Sequence, residues 1–166
     1  MLERHAMKDG CGNQRGGVLA EFAICLPITL LMLLGAIDFG RVWTLATASA
    51  NAAHAGAQYG SQNAQVAADI TGIRAAVVSD LMSSAVLAAS DPGEGGLTID
   101  DFVITPERYC ECSDGGTIAC SNKCGGGKSP LVFVRVRIDA TFETLIDYPG
   151  IPSPVQISRA AVLRAR

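Results

Sequence analysis

The chain has 166 residues, 49% hydrophobic but only 5% aromatic, and a formal net charge of −3 at pH 7. That balance argues against a nucleic-acid partner, which requires a basic face. About 125 residues follow the first apolar run, room for one domain of ordinary size, and because so much of the apolar fraction is alanine its core should be modest.

Residues 1–16 are polar and glycine-containing, with no apolar periodicity, and are read as a leader outside the fold. Arg4, Lys8 and Arg15 in that segment favour a cytoplasmic N-terminus, while a long C-terminal part translocates whatever its charge. Residues 18–37 then contain one charge, Glu21. Twenty helical residues at roughly 1.5 Å each reach about 30 Å, the thickness of a bilayer's hydrocarbon core. Residues 17–41 are therefore expected to form a transmembrane helix. A competing reading is a secretory signal cut at Ala46-Thr47-Ala48 or Ala48-Ser49-Ala50. Against it stand a run longer than the usual stretch of about 7–15 residues and the glutamate inside it. Pro27 should loosen the helix by removing the bond to Ala23. Asp38, Arg41 and Trp43 suit the interface where the helix leaves the bilayer.

A carboxylate in such a helix costs about 2.5–3.5 kcal/mol at its centre and less near an edge, where Glu21 lies. One reading is that it snorkels to the headgroups. The other comes from its neighbours. Gly16-Gly17-Val18-Leu19-Ala20-Glu21 resembles a prepilin-peptidase site, with cleavage after a glycine and a glutamate at the fifth mature position. Glycine at the cut leaves the backbone open to a protease.

The whole stretch RGGVLAEFAICLPITLLMLLGAIDFGR, residues 15–41, resembles the N-terminal signature of the TadE-like pseudopilins of the tight-adherence (Flp, type IVb) pilus system. A weaker resemblance continues through AAHAGAQY at residues 52–59, where His54 replaces a frequent arginine and alters only a surface charge. The resemblance implies a non-catalytic component of the pilus assembly apparatus, held in the bacterial inner membrane by a single pass with its C-terminal domain periplasmic. It implies processing between Gly16 and Gly17 by prepilin peptidase. It also implies that Glu21 meets the N-terminus of a neighbouring subunit, so that the partners are other pilins or pseudopilins, pilus assembly proteins and the membrane. No cofactor and no small-molecule substrate are expected.

Beyond Arg41 the residues to Tyr59 are mostly small and include no proline, so the spanning helix should continue outward as one rod into a domain of residues 42–166. Gly56 and Gly60 form a small-xxx-small pair outside the apolar span. Residues 65–89 read as a second helix, with Val66, Ile70, Ile73, Val77, Leu81 and Val86 on one stripe and Asp69, Arg74 and Asp80 off it. A turn follows at 91–96. Leu97, Ile99, Phe102 and Ile104 suggest a first strand. Val132, Val134, Val136, Ile138, Ala140 and Phe142 alternate with Phe133, Arg135, Arg137, Asp139 and Thr141 as a second, and residues 155–164 form a third that pairs antiparallel with it across a turn at 147–154. The expected fold is α+β: a long N-terminal transmembrane helix continuing into a pilin-like domain with a second helix and a small antiparallel sheet.

Of six cysteines, Cys11 lies in the leader and Cys25 in the span, where it acts as a small apolar residue. Cys110, Cys112, Cys120 and Cys124 cluster in the loop 110–124 of the expected translocated domain, which makes them disulfide candidates. Their C-x-C half suits a zinc site poorly. Adjacent Cys110 and Cys112 are badly placed to bond each other, leaving Cys110–Cys120 with Cys112–Cys124, or Cys110–Cys124 with Cys112–Cys120. The glycine triplet 125–127 lacks P-loop spacing. His5 and His54 are the only imidazoles, and neither has a convincing nucleophile partner, so no catalytic site is expected. Two classes of function remain: the pseudopilin-like pilus component, or a membrane-anchored or secreted envelope binding module with a disulfide-stapled domain.

Overall fold

A computed structural model describes residues 14–88, 97–146, 148, 150, 151 and 153–166, with backbone alone at 14–16, 85 and 88. The first thirteen residues of the expected leader, the turn at 91–96 and Asp147, Pro149 and Pro152 of the later turn lie outside the described residues. The chain divides into two compact units, residues 1–39 and 40–166.

Helix α1, Gln14–Gly60, runs through both units as one assignment of 47 residues, continuous at Pro27. Within the first unit it carries the apolar run, whose large side chains other than the half-buried Leu34 are exposed, from 41% at Leu26 to 73% at Met32. In the second unit its composition changes, and so does its surroundings: Leu45, Ala52, Ala53 and Ala57 are fully buried, and Ser49 is buried with its hydroxyl donating to the Leu45 carbonyl at 2.8 Å. The small residues expected to allow close contact are the ones that receive the sheet and the second helix.

That second helix is shorter than expected and begins later. A 3-10 turn at Val66–Ala68 precedes α2, Ile70–Ser83, and Ser84 in extended backbone separates it from the four-residue α3, Ala85–Ala88. The physical reason is Asp69. Its carboxylate accepts the Gly72 N–H at 2.9 Å and the Thr71 hydroxyl at 2.7 Å, an N-cap that starts the helix in the middle of the apolar stripe. Ile73, Val77 and Leu81 are fully buried as the stripe required, whereas Ile70, in the capping turn, is exposed.

Four antiparallel strands form one sheet in the order β2-β1-β3-β4, with β1 at Phe102–Glu111, β2 at Thr117–Ile118, β3 at Leu131–Phe142 and β4 at Val155–Arg164. β3 matches the alternation: Val134, Val136, Ile138, Ala140 and Phe142 are all buried. β4 pairs with it along its whole length, from Phe133 opposite Arg164 to Phe142 opposite Val155. The first strand differs. Ile99–Asp101 form a 3-10 turn in which the Asp101 carboxylate accepts the Thr98 N–H at 2.6 Å and the Thr98 hydroxyl at 2.9 Å, so the strand starts at Phe102 and extends to Glu111. The core of the second unit lies between the buried face of the sheet, with Phe102, Ile104 and Ile157 contributing, and the helices α1 and α2.

Candidate functional site

The apolar segment of α1 is long and apolar enough to cross a membrane, and none of its most apolar stretch is buried against protein. A helix with large aliphatic side chains exposed around most of its surface suits an apolar medium. One long apolar N-terminal helix of this kind fits a single-pass membrane anchor. Within it the Thr29 hydroxyl donates to the Cys25 carbonyl at 2.8 Å, which satisfies that hydroxyl inside the helix. Cys25 is a free, exposed thiol.

Gly16, Gly17 and Glu21 all lie on the first two turns of α1. The helix starts at Gln14, so the last three residues of the expected leader are helical backbone. A Cβ built on Gly17 would meet nothing within 4 Å, and Glu21 is exposed. From Gly17 to Ile28 the residues are exposed, and Glu21 is the one charged group among them. His54, the departure from the family pattern, is exposed as a surface position should be.

Where α1 enters the second unit, the Arg41 guanidinium lies over the Phe142 ring, 5.0 Å from its centroid, a cation–π contact at the end of β3. Toward its other end the helix is approached closely. A Cβ on Gly56 would collide with Val77 Cγ2 and sit 3.4 Å from the Ile73 carbonyl oxygen. One on Gly60 would lie 2.9 Å from both Ile73 Cδ1 and Val134 Cγ1. The two glycines are contact points for α2 and β3 inside one molecule, a role the small-xxx-small spacing could signal without naming the partner. Beside them the Tyr59 hydroxyl donates to Asp69 at 3.2 Å. The Gly72 N–H, the Thr71 hydroxyl and this phenol hold the Asp69 carboxyl below its ordinary range, while the hydrogen bond and charge of Asp69 push the Tyr59 phenol up.

The four clustered cysteines are paired as Cys110–Cys120 and Cys112–Cys124, with Cα–Cα separations of 5.2 and 5.7 Å. The bridges interleave. Between them the chain turns at Gly115, whose φ of +86° suits glycine, with Gly115 N–H donating to the Cys112 carbonyl and Cys112 N–H to the Gly116 carbonyl, each at 2.9 Å. This brings Thr117 opposite Glu111 and makes the two-residue strand β2, which no apolar pattern announced. The glycine triplet forms another turn, with Gly126 and Gly127 at positive φ and the Cys124 N–H donating to the Lys128 carbonyl at 2.8 Å. Among the described residues no group of three or more His, Cys, Asp or Glu side chains is arranged to hold a metal ion.

On the outer face of the sheet, Tyr109 stacks on Phe133 with centroids 5.4 Å apart, and Arg135 covers the Tyr109 ring at 4.8 Å while reaching Glu107 at 3.4 Å. The register aligns these cross-strand neighbours, and sequence reading missed the cluster because Pro106 and Arg108 interrupt the alternation of β1.

No curated protein and no solved structure matches the chain. Residues 16–58, which run from the glycine before the apolar segment to the closely packed end of α1, match the family model described as TadE-like protein, and this segment of the chain is similar to that family.

Proposed function

We propose that the protein is a non-catalytic, pseudopilin-like component of a bacterial tight-adherence pilus assembly apparatus. The observation that carries this reading is the TadE-like match over residues 16–58, coinciding with a helix whose apolar half is bare. The match supports a pilus-associated role, and the bare helix supports storage in the inner membrane before assembly. The finer steps belong to the same proposal. Prepilin peptidase removes residues 1–16, and the domain of residues 42–166 stands on the periplasmic side with its paired cysteines in an oxidising compartment.

Cleavage before Gly17 creates an α-amino group with an unperturbed pKa of about 8, one helical turn from Glu21. Neither charge is comfortable alone in a low dielectric, and breaking a buried pair costs about 3–5 kcal/mol. In this proposal the Glu21 carboxylate pairs with the N-terminus of a neighbouring pilin or pseudopilin as helices pack, setting their axial register. The Glu21→Gln variant should insert and be cleaved as the parent is, yet co-purify less with other pilins and lower pilus output. Normal assembly and piliation by both Glu21→Gln and Glu21→Ala would remove the pairing role.

A further inference from the structure

The sheet of the second unit has two unlike ends, and α1 marks which is which. Arg41 lies over Phe142 at one end. At the other, Gly60 closes on Val134 and the Ser61 carbonyl accepts the Arg166 N–H at 3.1 Å. The connection between β3 and β4, residues 143–154, therefore leaves from the Arg41 end, while the disulfide loop leaves from the Gly60 end.

The two ends differ in chemistry. Exposed residues of the disulfide end are polar or small, among them Asp114, Thr117, Ser121, Lys123 and Lys128, with Ala119 the one exposed apolar residue of the loop 110–124. At the Arg41 end, Leu145 and Ile151 are each 53% exposed and Trp43 is 62% exposed. A single bare leucine would need no explanation. Three large apolar side chains gathered at one end share a cause, and chain connectivity supplies it. The apolar run ends at Ile37, four residues before Arg41. Four residues span about 6 Å as helix and at most about 14 Å extended, whatever the path between. A run that crosses a bilayer thus tethers the Arg41 end at the lipid boundary, whereas the nineteen helical steps from Arg41 to Gly60 carry the disulfide end roughly 28 Å along the rod.

We propose that the connection between β3 and β4 is a second lipid contact, with Leu145, Ile151 and Trp43 entering the headgroup region of the leaflet from which α1 emerges. Glu143 and Asp147 lie on this connection and no lysine or arginine does, so the attraction is apolar and suits a zwitterionic phospholipid surface rather than an anionic one. The contact fixes the domain's tilt while the protein waits in the membrane, and extraction of the subunit must break it. The inference rests on the reading of the apolar helix as a membrane span, and the experiment separates the two.

The full chain, with Cys11→Ser, is reconstituted in phosphatidylcholine vesicles and labelled with a fluorophore without reductant, so that both disulfides persist. One sample is labelled at the native Cys25; the others carry Cys25→Ser with Leu145→Cys, Ile151→Cys or Lys128→Cys. The label at Cys25 should lose fluorescence to phosphatidylcholine bearing a nitroxide in its acyl chain. Labels at 145 and 151 should lose fluorescence to a headgroup nitroxide and resist aqueous iodide, and the label at 128 should respond to iodide alone. If 145 and 151 behave like 128 while Cys25 still senses the acyl nitroxide, the second contact is wrong and the span stands. Shielding from iodide without nitroxide quenching means a protein cover, such as a second copy, and also overturns the proposal. No response at Cys25 overturns the span and the contact together.

Discussion

The two halves of α1 share a backbone and differ in what surrounds them. Along residues 18–37 the side chains are mostly large, apolar and exposed, while along 45–60 they are mostly small and more than half of them buried. In the first half bulk is useful because lipid adapts to any apolar shape, and burial in lipid needs no matching partner. In the second half bulk would obstruct, because Ile73, Val77 and Val134 come within contact of the helix backbone at Gly56 and Gly60. Residue size along one helix thus differs with its surroundings: the bulky half fits fluid hydrocarbon, and the small-residue half fits the close-packed interior of a protein.

The strongest way to test that contrast is to truncate one aliphatic residue in each setting. Ile138→Ala, at a fully buried position of β3, should lower the stability of the full chain in detergent by about 2–5 kcal/mol. Leu31→Ala, on the bare half of α1, should leave it within about 0.5 kcal/mol by the same thermal or denaturant unfolding followed by near-ultraviolet dichroism. Equal losses would mean that residues 18–37 also pack against protein.

A smaller effect is expected from the disulfide end. Replacing Cys110 and Cys120 together by serine opens a loop with a sequence separation of 10 and should cost about 2–3 kcal/mol in the chain-entropy picture. An unchanged midpoint would show that the turn's own hydrogen bonds hold β2 in place. The smallest change sharpens the comparison within α1 itself. Gly56→Ala gains about 1 kcal/mol of helix propensity but forces a collision with Val77, and overpacking of about 1–3 kcal/mol should win. Gly40→Ala, with nothing within 4 Å of the new Cβ, should be neutral or stabilising. Stabilisation by Gly56→Ala would mean that α2 can retreat from the helix.

Much of this architecture was legible because the patterns were long. The apolar run of α1 and the alternation of β3 each persist over many residues, and β4 completes a pairing whose bounds match the expectation. What misled was local hydrogen bonding inside an otherwise regular pattern. Asp69 caps α2 within a continuous apolar stripe, and Asp101 folds back on Thr98 so that Leu97 and Ile99 precede the strand instead of starting it. The later half of β1 was illegible because Pro106 and Arg108 stand on its core-side positions, and the strand is held there by its partner β3. Spacing left two pairings of the four cysteines, and choosing between them needed the turn at Gly115 that sets β2 against β1. At the candidate site, apolar length and the lone Glu21 were plain from composition, whereas the expected role of Gly16 and Gly17 came from the resemblance, and Gly17, with nothing within 4 Å of an added Cβ, carries no contact that would reveal it.

Pseudopilin-like maturation is tested most directly by the mass of the N-terminal peptide of the protein isolated from membranes. The expected result is a chain that begins at Gly17, with residues 1–16 removed and the whole apolar helix retained. A chain beginning at Ala48 or later would show an ordinary secretory signal, and an intact leader would show a plain signal anchor. Either of those results would contradict the proposed function.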